Sequence, residues 1–184
     1  MKKRMYSLGV LLLTGLSVSA QLTTPADGGN KRASVSERIG LTEISITYDR
    51  PAVKDRDGKI WGQLVHYGFK DLGFGTSKAA PWRAGANENT IFSTSTDVKV
   101  EGKTLPKGQY ALFMAVYADS ATVIFSKNSS SWGSYFYDPK EDVLRVSAKP
   151  LKDQPFKDRL AYEFSDETDN SALVSLAWER WKIP

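Results

Sequence analysis

The chain has 184 residues, 25 Lys plus Arg against 21 Asp plus Glu, one His and no Cys. Zero cysteine excludes a disulfide framework, thiolate chemistry and every cysteine-held zinc or iron–sulfur site. One histidine leaves no His-rich metal centre, and no metal or cofactor is expected. The apolar share of 41% is too high for a disordered chain, and the length suits one self-supporting core.

Lys2, Lys3 and Arg4 precede a short apolar run over residues 8–16, and Ser17-Val18-Ser19-Ala20 supplies small residues after it. This is the pattern of an export signal cut after Ala20. The run is about half the ~20 apolar residues that a membrane span needs, so no span is expected after cleavage. No cysteine follows it to carry a lipid. The formal charge of +4 includes three positive charges from residues 1–20, so residues 21–184 carry only +1. Basic residues are scattered among acidic ones. Nucleic acid is therefore not an expected partner.

Residues 21–40 are polar and Gly-rich, and read as a flexible arm or a loose first strand. Ile44, Ile46 and Tyr48 then alternate with polar residues, the period of a half-buried strand. Residues 60–66 read as a short helix of about two turns, with His66 near its C-terminal end. Residues 90–94 and 98–100 read as strands, the second turning at Glu101-Gly102. Residues 110–118 are continuously apolar, as in a strand covered on both faces, and residues 122–125 are its hairpin partner. Residues 143–147 and 160–164 are further strands. The segment 171–183 fits a helix or a strand by period. Strand is preferred, because β-type runs surround it and an earlier strand needs a partner; Trp178 and Trp181 then fall on opposite faces, so a bulge or bend near Glu179 is expected. The expectation is an all-β fold: an antiparallel β-sandwich of jelly-roll kind, roughly eight strands, with at most one or two short helices. It forms one domain over residues 41–184.

Three segments carry a resemblance: Ile46-Thr47-Tyr48-Asp49-Arg50-Pro51, Lys59-Ile60-Trp61-Gly62, and Trp82-Arg83-Ala84-Gly85-Ala86-Asn87-Glu88-Asn89-Thr90. Val100 to Tyr110, Trp132-Gly133 and Glu141 to Val146 follow in matching order. Together they resemble the secreted bacterial domain-of-unknown-function family 2911. The resemblance implies a β-sandwich of the cell envelope and no particular reaction. The chain departs from it by an insert over residues 69–81, and by His66 where relatives often have proline. Some relatives continue into a helical extension, so the chain is read as a short form or a fragment.

The loop 82–89 is the principal candidate site. Small residues let its backbone turn tightly, and around them sit an indole, a guanidinium, an amide and a carboxylate. Trp82 can stack, Arg83 can pair bidentately, and Asn87 and Glu88 can take hydroxyls of a sugar or small anion. Tyr48 and Arg50, at the end of a strand, can face the same pocket. The alternative is a structural lock, in which Arg83 pairs with Glu88 and Asn87 satisfies turn backbone. A hydrolase would need a second carboxylate opposite Glu88, for which Asp142 and Glu43 are candidates. Asp55-Arg56-Asp57-Gly58 reads as a charged turn rather than a calcium loop. The acidic loop 166–170 reads as a solvated turn. Trp132, Tyr135, Phe136 and Tyr137 are either a sugar-stacking edge or a plug for the sandwich end. The leading reading is an exported, non-catalytic binding or scaffold domain. An envelope glycan hydrolase acting through Glu88 and a purely structural interaction domain are the alternatives.

Overall fold

The computed structural model describes residues 29–184. The expected leader and the first part of the expected arm lie outside the described residues. The fold is all-β. β1 (Lys31–Ile39), β2 (Thr42–Arg50), β3 (Thr90–Thr94), β6 (Gly108–Val116), β7 (Ala121–Ser126) and β8 (Asp142–Ala148) form one sheet in that order. Every neighbouring pair in it is antiparallel. β9 (Lys157–Ser165), β10 (Leu173–Glu179) and β11 (Trp181–Ile183) form a second sheet. β4 (Val98–Val100) and β5 (Lys103–Leu105) pair only with each other. One 3-10 turn, Pro139–Glu141, is capped by the Asp138 side chain.

Alternation decides which face each strand buries. Ile46 and Tyr48 of β2, Phe92 of β3, and Leu112 and Met114 of β6 point between the sheets. From the second sheet, Leu160, Tyr162, Leu176 and Trp178 meet them. β6 is buried from Tyr110 to Val116 because its other face is also covered. There Ala111 and Phe113 pack with Ile124 and Tyr137. The end of β2 stitches the two sheets together. Pro51 turns the chain out of the first sheet, and Leu160 N–H donates to Pro51 O at 3.1 Å while Val53 N–H donates to Asp158 O at 2.7 Å.

Three expectations change. Residues 31–39 are not an arm: they are the full partner of β2, in register from Lys31↔Arg50 to Ile39↔Thr42. Residues 60–66 are not a helix. Gly62 sits at φ 81°, its N–H donates to Val65 O, and Val65 N–H returns to Ile60 O. Trp61 is carried on this closed loop and is buried. The strand count is eleven rather than eight, the additions being β1, β5 and β11. The bend at Glu179 is present: φ there is 55°, and Trp178 pairs directly with Trp181 across a tight hairpin. The bend puts both indoles on one side. Trp61 stacks on Trp181 (4.9 Å between centroids) and meets Trp82 and Trp178 edge-on at 5.8 and 6.0 Å.

Candidate functional site

Loop 82–90 leaves this indole cluster and enters β3. Its inner side is built into the core. Trp82 exchanges two backbone hydrogen bonds with Met114, and its indole N–H donates to Gly85 O at 3.1 Å. The Ala84 carbonyl accepts from the buried hydroxyls of Thr90 and Tyr162. Ala84 and Asn87 hold positive φ, 50° and 54°. Gly85 has no room for a side chain, since a Cβ there would lie 2.6 Å from Thr90 Oγ1. This half of the loop is a lock.

Its outer side is different. The Arg83 guanidinium leaves the core and donates to Asn87 O at 2.5 Å. It lies 4.8 Å from the Tyr135 ring centroid and 5.3 Å from that of Trp132, two rings stacked on one another. Cation–π attraction holds it without neutralising it. Gly133 makes this possible: at φ 64°, a Cβ there would come within 2.4 Å of the guanidinium carbon. Arg83 does not pair with Glu88. Among the described residues, no carboxylate pairs with it.

Beside Arg83 opens a cleft of about 300 Å³, lined by Asn30, Arg56, His66, Trp82, Arg83 and Tyr135 among others. The Arg56 guanidinium is anchored on Ala52 O and Val53 O, at 2.7 and 3.1 Å. It too has no carboxylate partner among the described residues. Burial holds the His66 imidazole below its ordinary pKa, so it is the neutral member of the group. Its Nδ1 is buried without a hydrogen-bond partner.

Glu88 belongs to a second cluster on the outer face of the first sheet. Arg32 of β1 faces Asp49 of β2 in the ladder. Its guanidinium reaches Asp49 Oδ2 at 3.3 Å and Glu88 Oε2 at 3.2 Å. Asn30 Nδ2 donates to Asn87 Oδ1 at 3.1 Å. Asp49 is buried, and desolvation together with a hydrogen bond shared with Glu88 pushes its carboxyl up, against the pull of Arg32. Glu88 moves the opposite way, lowered by its own backbone N–H and by the shared bond with Asp49. The two carboxyls are thus shifted in opposite directions.

Of the six candidate residues, Arg83 and the edge of Trp82 line the cleft. Asn87 frames Arg83, and Glu88 faces away with Asp49. Tyr48 is a core residue: its hydroxyl accepts from Tyr162 N–H at 3.1 Å, and the two rings meet edge-on. Trp82 is 9% exposed and stacks on Trp178, so it cannot offer a free face. Arg50 donates to Leu160 O at 2.9 Å, joining the sheets, and is not among the cleft's lining residues. Neither proposed carboxylate meets Glu88. Asp142 is consumed by Tyr137 and Arg145, and Glu43 lies at the other end of β3, bonded to Ser95. The partner is Asp49. The residues missed were Arg32, Asp49 and Arg56. Strand parity alone separates Asp49 from Tyr48 and Arg50, which face the opposite way.

The aromatic loop divides. Tyr137 is buried against Phe113 as a plug, while Trp132 and Phe136 are 52% and 41% exposed. The insert 69–81 closes on itself through Lys70 and Ala80, and lays Phe74 against Tyr135 and Phe136. It thereby builds one wall beside the cleft.

A family model described as a protein of unknown function, DUF2911, matches residues 30–184. The chain belongs to that family. The match begins at Asn30, so β1 and its Arg32 lie inside the DUF2911 domain. Comparison of this DUF2911 chain with curated proteins and with solved structures gives no match.

Proposed function

We propose that this chain is an exported binding domain that holds a small anionic ligand, a sugar acid by preference, in the arginine cleft. The observation that carries the reading is the pair Arg56 and Arg83. Both guanidiniums line one concavity, both are fixed by backbone carbonyls, and neither is neutralised by a carboxylate among the described residues. Fixed, unneutralised guanidiniums favour a planar carboxylate or a phosphate oxyanion. Tyr135, Ser134 and Asn30 add ring surface and hydrogen-bonding groups suited to hydroxyls. A volume of about 300 Å³ accommodates one monosaccharide-sized molecule. Export is supported by the charged, apolar and small-residue order of residues 2–20. N-terminal sequencing of the protein from a bacterial envelope fraction should then begin at Gln21.

The hydrolase reading through Glu88 has less support. Glu88 and Asp49 are both engaged by the Arg32 guanidinium, and neither lines the cleft.

A thermal-shift comparison of glucuronate, galacturonate, citrate and neutral glucose tests the binding reading. The anions should raise Tm and glucose should not. The shift should vanish in Arg83→Met and in Arg56→Met, provided each variant's unliganded circular dichroism matches the parent. It should persist in Glu88→Gln. Silence from every anion, or a shift unaffected by both arginine substitutions, would defeat it.

A further inference from the structure

The Arg83 guanidinium does not belong to the cleft alone. It also lies against rings that continue out of the concavity. Tyr135 lines the cleft, and Trp132 does not. Trp132 stacks on Tyr135, 10° from parallel with 5.7 Å between centroids. It is still 52% exposed, although Tyr135 takes one of its faces. Of the chain's five tryptophans it is the only exposed one. Arg83 lies within 5.3 Å of both ring centroids. One guanidinium thus serves the cleft and the indole outside it.

The loop that carries Trp132 is fixed from beneath. Buried Asn89 donates from Nδ2 to Asn128 O and to Ser131 Oγ, both at 3.1 Å. Ser131 Oγ in turn donates to Gly133 O at 3.3 Å. From the insert, Ser77 N–H donates to Tyr135 O at 3.0 Å, and Gly75 has no room for a Cβ against that carbonyl. An indole on a loop tied this closely gives up little freedom when a ligand settles on it. Phe74 meets Tyr135 and Phe136 edge-on, and both phenylalanines are exposed. A contiguous exposed aromatic patch marks a binding surface. With a guanidinium against two of its rings, this one suits an anion with flat apolar faces better than a wholly apolar partner.

We propose that the ligand is an acidic oligosaccharide, with one uronate in the cleft on Arg56 and Arg83 and the next sugar ring on Trp132. The inference rests on the arginine-cleft reading and extends it from one sugar acid to a chain of them. A cleft of about 300 Å³ admits one monosaccharide-sized unit, so a second must lie outside it. Trp132 is the exposed ring that adjoins Arg83 there. The opposite direction is unfavourable for an anion. Beyond Asn87, whose carbonyl accepts from Arg83, stand the carboxyls of Glu88 and Asp49. A sugar offers a flat C–H face to an indole and keeps its hydroxyls in water, which matches a ring that is half exposed. Joining the two contacts in one ligand makes the second intramolecular, so the chain binds more tightly than its unit.

The test is calorimetric titration with galacturonate and with its linear trimer, beside neutral maltotriose and tri-glutamate. The trimer should bind about tenfold or more tighter than the monomer. Trp132→Ala should remove that gain and leave the monomer's affinity unchanged. Trp132→Phe, which keeps a ring beside Arg83, should retain most of the gain. Acrylamide quenching of the exposed indole should fall with the trimer and not with the monomer. Arg83→Met should abolish binding of both. A trimer no tighter than the monomer, or a gain unchanged in Trp132→Ala, would overturn the proposal and leave the cleft reading standing. Silence from monomer and trimer alike would remove the cleft reading and this one with it. Loss of monomer binding in both Trp132→Ala and Trp132→Phe would make Trp132 a mere support for Arg83, and overturn the proposal. An equal gain with maltotriose would mean a neutral glycan, and an equal gain with tri-glutamate an acidic peptide; either result overturns it.

Discussion

At Gly133 one hydrogen atom decides whether Arg83 can lie against Tyr135. Gly133→Ala places a methyl 2.4 Å from the guanidinium carbon at φ 64°. The substitution should cost about 1–3 kcal/mol in chemical denaturation. It should also weaken anion binding, because Arg83 must leave its aromatic seat. His66 makes a pH-dependent prediction. Its pKa is held below 6.5, so it is neutral in the folded protein near pH 7. As pH falls from 6.5, the unfolded chain binds a proton before the folded one, and stability declines until the folded pKa is passed. In the same fall the cleft gains a third cation, so anion affinity should rise. The rise should be absent in His66→Gln. Asp49 and Glu88 have opposite linkage. Asp49 is raised, so its contribution is greatest below pH about 3.8 and is lost as pH increases through its folded pKa. Glu88 is lowered, so its contribution is present above about 4.5 and is lost as pH falls. The stability advantage of the parent over Asp49→Asn should therefore shrink as pH rises from 3.5 to 7, in paired urea titrations. The candidate loop was legible residue by residue, since its small residues mark a tight turn. Where each side chain points was not. Tyr48, Arg50 and Trp82 turn inward because the strand and loop that carry them face the second sheet, and no local pattern in loop 82–90 records that.

At the scale of elements, β1 shows how a polar segment can be a strand. It buries little apolar surface, and Arg32, Ser34 and Ser36 line its outward side. It is held by its full ladder with β2 and by the bridge from Arg32 to Asp49 and Glu88. Arg32 is half exposed, so the ion pairs themselves are worth little. Arg32→Ala nevertheless leaves the buried Asp49 without its cation. Hydrogen exchange should speed in the first half of β1 and stay unchanged in β6, with global stability falling by about 1 kcal/mol. Composition hid this strand, because polar alternation on an edge resembles a linker. The helix expected over 60–66 failed for the complementary reason. Its apolar residues match helical spacing, but the reward for burying Trp61 among Trp82, Trp178 and Trp181 outweighs local propensity. The bend at Glu179 was legible, because two tryptophans three residues apart fall on opposite faces of an unbroken strand; that the bend closes a hairpin with β11 as a separate strand was not. Trp178→Ala should cost about 3–5 kcal/mol, as it removes a fully buried indole on which Trp82 stacks. Trp181→Ala, partly exposed at the edge of the cluster, should cost less in the same denaturation series.

For the molecule as a whole, the arginine cleft sits at the Pro51 end of β2, beside the junction where Leu160 and Val53 stitch the two sheets together. Alternation, turn residues and the absence of cysteine were enough to specify an all-β domain with an aromatic core and no covalent staples. These properties are local, or depend only on what the chain contains. Which carboxylate meets Glu88 and which arginine joins Arg83 depend on how β1, β2 and the loop at 56 converge from distant parts of the chain. Such convergence is set by the pairing of whole strands and the packing of one sheet on another. The small net charge illustrates the division. Summed over residues 21–184 it reads as near neutrality, yet folding segregates Arg56 and Arg83 into a cleft whose lining includes no carboxylate.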